Sequence, residues 1–194
     1  MEIAKHTYQK KKREFRIQSV YSRCLITRKI SIPITAIGKN LKETIEEIVK
    51  LSFEGKCVVE GFIKHNSSKI ITHSSGVIER GNLISFEVVF ECDICFPVEG
   101  MLILCVAKNI TKAGIKAESA TEVPSPVIVF VAKDHHYSAS HFSEIKEGDK
   151  FNVKVIGQRF ELNDKYISVI GELVKEKEQS THKQYIKPRL VIED

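Results

Sequence analysis

The sequence predicts two kinds of structure in series. An α+β half, a small β-sheet domain with one covering helix, precedes an all-β half that forms a five-stranded Greek-key barrel of the OB type. Three observations predict this. One amphipathic helix pattern lies near the front, at residues 41–53. Short runs rich in Val, Ile and Phe, parted by Asn, Ser, Gly and Pro, fill most of the remainder. Finally, FEVVFECDICFPVEGMLILCVAK (86–108) starts as an alternating strand, breaks at Phe96-Pro97 and restarts after Gly100. Proline gives no N–H to a ladder and glycine bends where a Cβ would clash, so one sheet ends and another begins there.

Residues 1–21 lack a period and read as a basic extension. SRCLITRKISIPI (22–34) reads as a strand with Leu25, Ile30, Ile32 and Ile34 apolar, ending at Pro33 and the Gly38-Lys39-Asn40 turn. Asn40 is placed to cap LKETIEEIVKLSF, where Leu41, Ile45, Ile48 and Leu51 recur at spacings of four and three, and Gly55 stops it. Cys57–Ile63, Lys69–Thr72 and Leu83–Glu91 follow as a strand meander. The loop HSSGVIERGN (73–82) carries an apolar pair, Val77-Ile78, which either folds back on the core or inserts into a partner.

The second half offers strands at Met101–Ala107, Ala113–Ala117, Val127–Ala132, Phe151–Arg159 and Tyr166–Leu173. Phe151, Val153, Val155 and Gly157 alternate with Asn152, Lys154 and Ile156, so the first set points inward. Asn163-Asp164 makes a tight hairpin turn, and residues 133–148 interrupt the barrel where such folds carry a short helix. The resulting division is 1–21 extension, 22–97 sheet domain, 98–174 barrel and 175–194 charged tail. The tail ends in apolar Leu190-Val191-Ile192, suited to adding an edge strand.

With 194 residues and 42% hydrophobic composition the chain can bury two cores. No apolar run approaches the roughly 20 residues that span a bilayer, and no secretory signal follows the basic start, so an intracellular protein with no membrane partner is expected. The net charge of +5 is uneven: residues 1–30 sum to +7 and the rest to −2. The leader therefore points to an acidic protein surface or a nucleic acid.

Five cysteines, an odd and sparse set, suggest free thiols. Cys92-Asp93-Ile94-Cys95 lacks a second ligand pair for zinc, and residues three apart in a strand face opposite sides, so packed thiols are expected and no metal. His135, His136 and His141 cluster in the barrel loop beside Asp134, without a nucleophile nearby. A solvated loop or stacking against nucleic-acid bases fits them better than catalysis, and no cofactor motif occurs. Residues 98–174 sum to −1, which weakens electrostatic RNA binding, yet Lys108, Lys112, Lys116, Lys133 and Arg159 could form a local basic stripe.

The order of these parts resembles a known family. Ile32-Pro33, Gly38, Glu54-Gly55-Lys56-Cys57, Gly61-Phe62-Ile63 and Pro97-Val98-Glu99-Gly100 mark the first half. Lys112-Ala113-Gly114-Ile115, Ile145-Lys146-Glu147-Gly148-Asp149 and Ile167-Ser168-Val169-Ile170-Gly171 mark the second. Over about residues 25–174 the chain resembles the larger stalk subunit of multisubunit DNA-dependent RNA polymerases, the archaeal E-prime and eukaryotic seventh-subunit family.

That resemblance implies a non-catalytic polymerase subunit with a tip domain and an S1-type barrel. The tip would dock on the polymerase core through Ser75, Gly76, Val77, Ile78, Glu79, Arg80 and Gly81. A smaller stalk subunit would pack along both domains. Emerging single-stranded RNA would be held weakly by Lys108, Lys112, Lys116, Lys133, His135, His136 and Arg159. S1 barrels that bind RNA strongly carry aromatics about where Lys112 and Lys116 stand, so charge contact without stacking is expected. ECDICFPVEG and the long basic leader are similar to versions encoded by large DNA viruses; the resemblance implies residence wherever the transcription complex works, in nucleus or cytoplasm, or in a virion or cytoplasmic viral factory if viral. Two other readings remain open: a free-standing S1-type RNA-binding protein of translation or RNA decay, and a hydrolase built on the histidine loop.

Overall fold

A computed structural model of the chain describes residues 19–136 and 140–174. Its described residues are mostly β, with one α-helix and a closed five-stranded barrel. The leader to residue 18 and the tail from 175, with its Leu190-Val191-Ile192 ending, lie outside them.

The first sheet is built around one strand. Thirteen-residue β6 (Leu83–Cys95) pairs along its whole length with β1 (Tyr21–Pro33). Its other edge takes β5 (Val77–Ile78), β4 (Lys69–His73) and β3 (Gly61–Ile63) in turn, and β2 (Cys57–Val58) pairs with β3. The run 57–63, expected as one strand, is thus two strands joined by a tight turn, with Gly61 at φ +129°.

On β6 the alternation is strict: Phe86, Val88, Phe90, Cys92 and Ile94 are buried on one face. Helix α1 (Leu41–Phe53) covers them, with Ile45 and Val49 fully buried and the Phe53 ring stacked 5.9 Å from Phe90. Burying each such aliphatic side chain stabilises by roughly 1.5–3 kcal/mol. Leu51, predicted in the apolar stripe, faces solvent instead, 72% exposed. It follows Val49 by two residues, about 200° around the helix, and Phe53 completes the inward face. Asn40 makes no side-chain cap; the Thr44 hydroxyl donates back to the Asn40 carbonyl at 3.2 Å.

The barrel comprises β7 (Leu102–Ile110), β8 (Gly114–Ser119), β9 (Val127–Ala132), β10 (Lys150–Arg159) and β11 (Ile167–Val174). Their order is β10-β11-β9-β8-β7, closed by β10 on β7. Inward positions alternate as the sequence suggested, with Ile103, Cys105, Ile115, Ala117, Val127, Val129, Val131, Phe151, Val153, Val155, Ile167 and Val169 all buried. The alternation fails at Gly157. A bulge after Val155 shifts the phase, so Gly157 pairs with outward Ile170, half exposed. The expected loop helix is reduced to short 3-10 turns at Lys133–His135 and Ser140–Glu144.

Sheet and barrel share a core at one place. Phe62, Cys57 and Cys95 of the first sheet, with Val20, pack into the cluster that fills the barrel. The β10–β11 turn is sewn to β2: Cys57 N–H donates to the Asp164 carbonyl at 2.8 Å and Asn163 N–H to the Cys57 carbonyl at 2.9 Å. Beside this seam the Lys64 ammonium lies 4.7 Å over the Tyr21 ring and 3.1 Å from a Glu122 carboxylate oxygen. Cys92 and Cys95 face different clusters, as residues of opposite parity must, and both are fully buried. Burial pushes the Cys95 thiol up to about 12 and that of Cys57 to about 11.

Gly61 sits at this seam, and a Cβ there would overlap the Cys95 carbonyl oxygen. Gly61→Ala should therefore lose about 2–3 kcal/mol of stability in urea unfolding, from backbone strain plus a clash that only backbone movement relieves. Gly148→Ala, at φ +93° with open space around it, should lose only the strain share, about 1 kcal/mol.

Candidate nucleic-acid and docking surfaces

The basic residues singled out in the barrel fall into separate groups. Lys112 lies in the β7–β8 turn, Lys116 on β8 and Lys133 just after β9. The backbone gathers them at one end: Lys133 N–H donates to the Ala113 carbonyl at 3.0 Å, and Gly114 pairs with Ala132. All three are exposed and carry no ion-pair partner among the described residues. Lys108 is instead tied to Glu118 at 3.5 Å, and both line a groove of about 370 Å³ with Val106, Ile128 and Tyr166. Arg159 is tied to Glu161 at 3.2 Å and stands beside Ser168 on β11. The predicted stripe is therefore three free cations and two neutralised ones.

Next to the free cations stands an aromatic that the sequence reading passed over. Phe130 is the register partner of Lys116 across β8–β9, so both project from the same outer face. It is 37% exposed, and Ile170, its partner on β11, is 50% exposed. The ring leans over Gly114, where an added Cβ would stand 2.9 Å from Phe130 Cζ. Glycine at that position leaves room for the ring to lie low across the strand. An exposed π-face flanked by unpaired ammonium groups is the chemistry that holds a base and its phosphates. An exposed aromatic thus stands one strand over from Lys116, on the same outer face. The alternation Val127, Val129, Val131 inward was the available signal, since it forces Phe130 outward.

The two histidines part company. His135 is exposed at the end of its 3-10 turn. His136 is buried, with its ring stacked on Phe142 at 5.4 Å. Its Nε2 accepts the Leu173 N–H at 2.9 Å, so the ring is the tautomer whose Nδ1–H donates to the Ala132 carbonyl at 2.7 Å. Both nitrogens are engaged and one face is covered, which leaves no surface for a base. His136 is a structural clamp between β9 and β11. The side chain of His141 lies outside the described residues.

The loop after β4 has a fixed shape. Ser74 N–H donates to the Glu87 carbonyl at 2.9 Å, and Glu87 N–H donates to the Ser74 hydroxyl at 3.0 Å. Gly76 lies against the Ile84 and Phe86 side chains, too close for any Cβ to fit unshifted. Val77 and Ile78 pair with Ser85 and Ile84 through the backbone, yet their side chains are 62% and 79% exposed. The backbone of the pair thus folds back on the sheet while its side chains do not. Glu79 is anchored by Lys29 and by the Ser31 hydroxyl at 3.3 Å, and Lys29 holds its carboxyl below the usual range. Ser75, Arg80 and Gly81 are exposed around it. Exposed Ile34, expected as an apolar strand residue, follows the end of β1 and joins this end through its N–H on the Asn82 carbonyl at 2.9 Å.

No family model matches the chain. It is similar to a protein of Acanthamoeba polyphaga mimivirus named "Putative DNA-directed RNA polymerase subunit L376", with 25% identity over 190 residues. The likeness spans 90% of this chain and 92% of that protein.

His136→Ala should cost about 2–4 kcal/mol in chemical unfolding, since it leaves the Leu173 N–H and Ala132 carbonyl unpaired and opens a cavity beside Phe142. His135→Ala should stay within about 0.5 kcal/mol of the parent.

Proposed function

We propose that this chain is a non-catalytic subunit of a DNA-dependent RNA polymerase, of the larger stalk type. The single observation that carries the reading is the likeness, along nearly the full length of both chains, to a viral protein named as a DNA-directed RNA polymerase subunit. A closed five-stranded barrel seated on a small sheet fits the same assignment.

In this reading residues 22–97 are the tip domain and 98–174 the S1-type barrel. Val77, Ile78 and Ile34 form the apolar contact with the polymerase core, with Ser75, Gly76, Glu79, Arg80 and Gly81 as its frame. A smaller stalk subunit packs along both domains. Emerging RNA is held at Lys112, Lys116 and Lys133, with Phe130 beneath a base and His135 at the rim. Lys108 and Arg159 contribute less, because each already faces a carboxylate. The protein works wherever the transcription complex resides, in a virion or cytoplasmic viral factory if it is viral.

Phe130 also favours a second reading, a free-standing RNA-binding protein of translation or RNA decay. Affinity purification of the tagged chain from its native source separates the two. Large polymerase subunits in near-equal amount are the expected result; ribosomal or decay partners alone would overturn the first reading. Val77→Asp with Ile78→Asp should abolish that co-purification while the unfolding midpoint stays within a few degrees, because both side chains already face water. Phe130→Ala should weaken binding of a single-stranded RNA oligonucleotide roughly 5- to 100-fold, as loss of one base–aromatic stack does. Unchanged affinity would remove the barrel face as the RNA site.

A further inference from the structure

Outside the surfaces above, the most informative side chains are the thiols. Among the described residues all five cysteines are free. Cys57 and Cys95 flank Phe62 on opposite sides of β3. Two strand spacings, roughly 9–10 Å, separate them, beyond the roughly 7 Å that a disulfide spans. Cys105 points into the barrel, where its register partners are Ser119 and Phe151.

Cys24 and Cys92 differ from these. They are direct register partners on β1 and β6, so their side chains leave the same face of the sheet. The neighbouring pair fixes their geometry. Asp93 N–H donates to the Ser67 hydroxyl at 3.2 Å and its carbonyl accepts Lys64 N–H at 2.9 Å, so Asp93 turns its backbone away from β1. Adjacent residues alternate, which makes Cys24–Cys92 a hydrogen-bonded pair with Cα atoms about 5.5 Å apart. That separation lies within the roughly 4.4–6.8 Å Cα range of disulfides, while the Cβ atoms of such a pair, about 5.5 Å apart, must close by about 1 Å, which strains the bridge and leaves it readily reduced. β1 is the edge of its sheet in the described residues, and Cys24 is exposed, while Cys92 is fully buried behind it.

We infer that Cys24 and Cys92 form an oxidisable dithiol, a modification site that a low-molecular-weight disulfide such as oxidised glutathione closes into an intramolecular cross-strand bridge. The Cys24 thiolate attacks one sulfur of the reagent, expelling one glutathione thiolate and leaving a mixed disulfide on the exposed strand. Cys92 gives its proton to solvent, and its sulfur attacks Cys24 Sγ, expelling the second glutathione thiolate. Two protein thiols are oxidised and one reagent disulfide is reduced to two thiols. Burial first, and then the Cys24 sulfur, push the Cys92 thiol up to about 12, so closure is the slow step and quickens as pH rises. The bridge ties the edge strand to β6 and stands independently of the polymerase reading.

The test treats the full chain with oxidised glutathione at pH 8, blocks remaining thiols, and maps peptides without reduction. The expected product is a Cys24–Cys92 linked peptide from monomeric protein that has lost two hydrogens. It should melt roughly 5–10 °C higher than the reduced chain, and dithiothreitol should reverse the shift. Cys24→Ser, a change at an exposed position, should fold normally and show neither product nor shift. Glutathione retained on Cys24 with Cys92 still free, or a Cys24–Cys24 dimer, would overturn the inference.

Discussion

The two-sided ladder of β6 is the constraint on which the rest depends. Its thirteen residues satisfy β1 on one side and three short strands on the other, so none of those four elements has its present position without it. The same strand supplies the floor on which α1 packs and, through Cys95 on its opposite face, a piece of the barrel core. One segment therefore sets the loop at 74–82, the helix and the seam. A register slip of one residue would exchange its two faces, driving Glu87, Glu91 and Asp93 under the helix. That penalty fixes the register.

Much of this was legible because the sequence keeps strict periods. The α1 bounds, the break at Phe96-Pro97 and the five barrel strands follow from alternation and turn residues alone; the tight hairpin expected at Asn163-Asp164 is instead a seven-residue connection, 160–166. What escaped was phase and company. The β10 bulge moves Gly157 to the outer face, and no local signal marks a bulge between two otherwise regular runs. Leu51 fits a three–four spacing as well as Phe53 does, and only the position of the sheet decides between them. His136 and His135 are neighbours in sequence, yet the end of a 3-10 turn points one ring into the barrel and one out of it.

Charge was the least legible quantity. A sum of −1 over residues 98–174 describes the barrel as a whole and hides what each lysine faces. Lys108, in the β7 bulge, reaches Glu118 by its side chain, while the β8–β9 register leaves Lys116 opposite Phe130. Free and neutralised cations then lie on neighbouring strands, Lys116 on β8 and Lys108 on β7. Local potential follows pairing, which sequence composition averages away.

The seam between sheet and barrel carries a mechanical meaning. Backbone hydrogen bonds at Cys57, a shared apolar cluster and the Lys64–Glu122 ion pair all cross it, and a slide of one residue would break the hydrogen bonds. A torque applied at the outer barrel is thus transmitted to the loop beyond β4 as in a bar, with little taken up by bending. Whatever holds one end of this molecule sets the bearing of the other.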